Sequence, residues 1–77
     1  MFNYADLDAF KALARKAKKG KTTEAVVEAI YNNNGSPTRF SKLREVDVIC
    51  ALSREYPELF SVQRVDYSGD HIITIKA

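Results

Sequence analysis

Residues 35–65 read GSPTRFSKLREVDVICALSREYPELFSVQRV and residues 66–77 continue DYSGDHIITIKA; the fold is decided here because the hydrophobic period changes along this stretch. Ser36-Pro37 interrupts the chain, since proline lacks an amide hydrogen and disfavours helix in the residue before it. Helix then restarts. Thr38 or Ser41 can open a short helix carrying Phe40 and Leu43, and Asp47 can cap another in which Val48, Ile49, Leu52 and Tyr56 share a face until Pro57 ends it. The spacing predicts a bend near residues 45–47, with one continuous helix over 38–56 as the alternative. The period then falls to two. Phe60 and Val62 alternate with Ser61 and Gln63, and beyond Ser68-Gly69-Asp70 the residues His71, Ile73 and Ile75 alternate with Ile72, Thr74 and Lys76. This predicts a β-hairpin whose turn draws on Gly69 for a positive φ, and an isolated ribbon of this kind must lie against helices to be stable.

On the amino-terminal side, Leu7, Phe10, Leu13, Ala14 and Ala17 make an apolar stripe that predicts a helix over residues 4–19. Asn3 can cap it, Lys18 and Lys19 suit its last turn, and Gly20 can take the left-handed conformation that closes it. Thr22 or Thr23 then caps a second helix with Val26, Val27, Ile30 and Tyr31 on one stripe, and the Asn32-Asn33-Asn34-Gly35 run stops it.

The order of helix, helix, proline-containing connector, short helix, second helix and hairpin resembles a winged helix-turn-helix domain, a likeness covering residues 23–77. It implies an extended piece at 36–39, a helix at 40–44, a recognition helix at 47–56 and a two-stranded wing at 60–65 and 71–76. The expected fold is therefore α+β: a winged helix-turn-helix with an extra N-terminal helix and a C-terminal β-hairpin wing. The 77 residues, 45% hydrophobic and 29% charged, suit a single domain, 1–77, made of a basic N-terminal helix (1–21) and a winged-helix-like core (22–77).

Composition excludes several functions. The single cysteine, Cys50, cannot close an internal disulfide, and its place among apolar residues suits packing better than reactivity. His71 is the one imidazole and has no assembled partner for acid–base work, so no catalytic residue is assigned and an enzyme is not expected. No metal-ligand spacing, phosphate loop or cofactor fingerprint occurs, so no metal or cofactor is expected. The acidic MFNYADLDAF start lacks the bases of a secretory leader, and no apolar run is long enough for a membrane span, so a cytoplasmic protein without a membrane partner is expected.

Charge points to a partner. Residues 1–21 hold six bases against two acids, a balance of +4, whereas residues 22–77 hold six against eight, a balance of −2. Arg15, Lys16, Lys18, Lys19 and Lys21 form a basic cluster that can straddle phosphates; equally, such cations can simply complement a helix end. Arg39, Lys42 and Arg44 add donors, and Thr38 and Arg54 are the candidates for reaching base edges in duplex DNA. Asp47 and Glu55 on the would-be recognition helix and Glu45 just before it oppose that use, as do Asp66 and Asp70 at the wing. The leading expectation is a small DNA-binding regulator of transcription. The alternative is a protein–protein interaction module or inhibitor, of the kind bacteriophages direct at host proteins, using Glu45, Asp47, Glu55 and Tyr67. The stripe on the first helix also allows a homodimer.

Overall fold

In the computed structural model, which describes residues 3–65 and 68–76, the first helix is α1, Leu7–Ala17. Asp6 caps it, its carboxylate accepting from the Ala9 amide at 3.1 Å, while Asn3 instead accepts from Ala5 one turn earlier. The cap thus lies three residues downstream of the expected Asn3, and the helix ends before Lys18 and Lys19. The stripe is as expected: Phe10 and Ala14 are buried, and Leu7, Leu13 and Ala17 pack against the core. Part of that stripe, Phe10 and Ala14, is thus wholly enclosed within the chain.

The second helix, α2, spans Lys21–Asn32 and begins earlier than a Thr22 or Thr23 cap would allow. Gly20 is its N-cap, with φ 139° and ψ 169°. That positive φ favours glycine, as anticipated, but here the residue opens α2 and does not close α1. Val26, Val27 and Ile30 face the core, whereas Tyr31 stays 37% exposed.

The proline-containing connector departs from expectation. Thr38–Phe40 forms a strand, β1, and Leu43–Glu55 forms one helix, α3, without a bend at 45–47. The helix expected at 40–44 does not exist, so no helix pair stands where a helix-turn-helix motif was expected. Phe40 is buried from a strand, and Val46 joins Val48, Ile49 and Leu52 on the inward face of α3. Pairing to a distant strand provides β1 with hydrogen-bond partners that a helix started after Pro37 would have to supply locally.

The hairpin forms as expected from β2, Phe60–Val65, and β3, Asp70–Ile75, with Gly69 at φ 81°. The sheet is antiparallel with order β1-β3-β2, placing Phe40 opposite His71, and Val62 and Thr38 on either side of Ile73. Three helices and this three-stranded sheet make an α+β domain. Phe10 and Phe60 stack with centroids 6.0 Å apart, and Tyr56 meets Phe60 edge-on at 6.4 Å. The Tyr56 hydroxyl donates to the Leu13 carbonyl at 3.0 Å, fastening the end of α3 to α1. Among the described residues no helix is long and apolar enough to cross a membrane.

Candidate functional site

The link between α1 and α2 creates the most distinctive surface. Lys18 is extended (φ −159°, ψ 127°), and with Gly20 it turns the chain so that Lys18, Lys19 and Lys21 surround the start of α2. A hollow of about 250 Å³ opens there, lined also by Gly20, Thr22 and Thr23 and, from α3, by Arg44 and Asp47. None of these four cations makes an ion pair within the described residues, so four positive charges face one carboxylate.

The backbone adds to this field. The first amides of any helix lack intrahelical partners, and in α2 no side chain caps them because the N-cap is glycine. The Glu24 amide, bonded to the Gly20 carbonyl at 3.2 Å, begins the ladder, leaving the amides of the preceding turn unclaimed. Their aligned dipoles are equivalent to roughly half a positive charge. Thr23 is 1% exposed, and its Oγ1 has no hydrogen-bond partner. A larger hollow of about 350 Å³ at the other end of α2, lined by Tyr4, Tyr31, Asn32 and Asn34, has no charged side chain in its walls.

The other anticipated binding residues are differently placed. Arg15 donates from Nε and Nη2 to Glu24 at 3.0 and 2.6 Å, a bidentate pair that raises its own pKa and lowers that of Glu24. Its charge is committed. Arg39 is similarly held, 2.6 Å from Asp70 across the β1–β3 edge. The Thr38 hydroxyl donates to the Ser36 carbonyl at 2.9 Å and accepts from Asn33 at 3.1 Å, so it organises the connector. Lys16 and Lys42 are exposed but lie outside the hollow's lining. Arg54 sits in the last turn of α3, about 15 Å along the axis from Arg44.

Of the residues considered for protein binding, Asp47 lines the hollow, Glu55 is exposed and Glu45 is half-buried. Tyr67 and Asp66 lie outside the described residues. The structure therefore unites Lys18, Lys19 and Lys21 with Arg44, and leaves Arg15, Arg39, Thr38 and Arg54 elsewhere or engaged. Sequence reasoning offered Thr23 only as a helix cap, not as part of a binding site. The one signal available was a glycine among lysines followed by two threonines, which marks an uncapped helix start only once the helix boundary is known.

Comparison with protein-family models, curated proteins and solved structures found no match to this chain.

Proposed function

We propose that this chain is a small non-catalytic nucleic-acid-binding regulator that grips the phosphate backbone of duplex DNA through Lys18, Lys19, Lys21 and Arg44. The observation carrying this reading is that cations from two separate parts of the sequence, each free of an acidic partner within the described residues, line one hollow at an uncapped helix start. Such an arrangement releases counterions on meeting phosphates and fixes position, while carrying little base-specific information.

The resemblance to a winged helix-turn-helix domain gains support from the extended segment paired with the hairpin, and loses it at residues 40–44. The exposed side of α3 mixes Arg44 and Arg54 with Asp47 and Glu55, so backbone contact is favoured over base reading. Replacing Lys18, Lys19 and Lys21 by alanine should weaken binding to unrelated duplex sequences by a common factor, read by fluorescence anisotropy. A loss confined to one sequence, or none, sinks the proposal.

One observation favours a second reading, in which α3 docks on a protein: Leu43 is 76% exposed at its start. Charge reversal at Glu45, Asp47 and Glu55 separates the two. It abolishes partner capture under the protein reading and strengthens duplex binding under the first, because Asp47 then no longer repels phosphate.

A further inference from the structure

We infer that the hollow at the carboxyl end of α2 is a seat for one unpaired adenine base, stacked on tyrosine and read at its edge by asparagine amides. The hollow measures about 350 Å³ and is lined by Tyr4, Ala5, Tyr31, Asn32 and Asn34. The reading above concerns phosphates at the opposite end of the helix, so this inference stands apart from it. Three observations meet here, the first being the rings. Tyr4 and Tyr31 are each 37% exposed. Tyr4 is also fixed in place, because a Cβ on Gly35 would stand 2.6–2.9 Å from three of its ring atoms, so the ring lies against bare backbone. A ring already held loses little freedom when a flat ligand stacks on it.

The second observation lies in the asparagine run. Asn33 donates its side-chain amide to the carbonyls of Ser36 and Pro37 and to Thr38 Oγ1, and so secures the connector. Asn32 and Asn34, on either side of it, make no side-chain hydrogen bond within the described residues, and both line the hollow. Asn34 keeps φ 56°, an uncommon conformation for a residue other than glycine. The third observation is charge. No charged side chain lines the hollow, and within the described residues no backbone amide claims the Asn32 carbonyl at the negative end of the helix dipole. That field turns phosphate away and favours N–H donors. A neutral flat ring carrying a donor beside an acceptor suits such walls. A primary amide presents the matching pair, its carbonyl to the N6 amine and its NH2 to N7 of adenine. Guanine offers two acceptors on that edge, O6 and N7, and would set O6 against the asparagine carbonyl. Stacking on the rings supplies affinity, and the amides supply selectivity.

The test is a ¹H–¹⁵N NMR titration of the whole chain with adenosine, which carries no phosphate. Inosine, which shares O6 and N7 with guanine, and ribose serve as references. The seat predicts saturable shifts centred on the side-chain amides of Asn32 and Asn34, and nuclear Overhauser contacts from adenine protons to the Tyr4 and Tyr31 rings. It also predicts an affinity about tenfold above that for inosine. Asn34→Gly, in which glycine accepts the same φ, should narrow that preference, and Tyr31→Leu should lower adenosine affinity about tenfold. Equal responses to adenosine and inosine, a response matched by ribose, shifts centred elsewhere, or unaltered affinity in Tyr31→Leu each overturns it. The adenine can arrive as a free nucleoside or as an unpaired base of a nucleic-acid strand. A short single strand of deoxyadenosine that binds more tightly than adenosine marks the strand as the source, and one that binds more weakly marks the nucleoside. Adenosine binding without duplex binding keeps the seat and removes the duplex reading, whereas duplex binding without adenosine binding does the reverse.

Discussion

Replacing Thr23 by valine should make the protein more stable. Thr23 is 1% exposed and its Oγ1 has no partner, so folding strips the hydroxyl of water without restoring a hydrogen bond. Leaving such a group unsatisfied costs about 1–3 kcal/mol. Valine keeps the branched shape and has a similar helix propensity, so packing changes little and about 1–2 kcal/mol should be recovered. In a domain of this size each 1 kcal/mol moves Tm by roughly 4–8 °C. Urea unfolding followed by circular dichroism is the assay, with an unchanged m-value required so that the midpoint reports stability. The reasoning is refuted if Thr23→Val lowers the midpoint, because the hydroxyl must then be satisfied in the native state.

Other expectations follow from the same contacts. Ile49→Ala or Leu52→Ala, each removing a side chain that is 0% exposed, should cost about 2–5 kcal/mol in urea unfolding; below about 1 kcal/mol the inward face of α3 is misplaced. Gly35→Ala should destabilise by about 1 kcal/mol or more, because φ is +74° and an added Cβ would stand 2.6 Å from the Tyr4 ring, whereas a neutral result would show that the ring moves aside freely. Hydrogen bonding to Arg15 lowers the Glu24 pKa from its ordinary 4.5, so its contribution is present above that value and fades as pH falls through the lowered one. Glu24→Gln should therefore show a smaller loss of urea midpoint between neutral and acid pH than the parent, and equal losses would contradict the pairing.

Much of the fold could be read from local pattern. The α1 stripe, the core face of α2 and the hairpin around Gly69 each repeat a period over enough residues to be unambiguous. The connector could not be read this way. Three residues, Thr38–Phe40, are too few to display alternation, and their partners Ile73, Ile72 and His71 lie more than thirty positions away. Helix α3 also starts after Lys42, an N-cap residue that makes no side-chain cap, whereas Asp47, a good capping residue, sits inside it and suggests a boundary that is not there. The candidate site divides likewise. Its lysines are conspicuous in the sequence, but Arg44 joins them only through the packing of α3 against α2. Whether a cation is free depends on contacts invisible to spacing: Arg15 and Arg39 look as available as Lys19 until Glu24 and Asp70 are seen beside them.

The claim that unpaired cations at the start of α2 grip phosphates is tested most directly by the salt dependence of duplex affinity. Four such charges imply a slope of log K against log[salt] of about −3.6, and about a 150-fold loss of affinity between 50 and 200 mM salt. With Lys18, Lys19 and Lys21 replaced by alanine, the slope should flatten to about −0.9. A variant slope equal to that of the parent, or no duplex binding by the parent at 50 mM, contradicts the account.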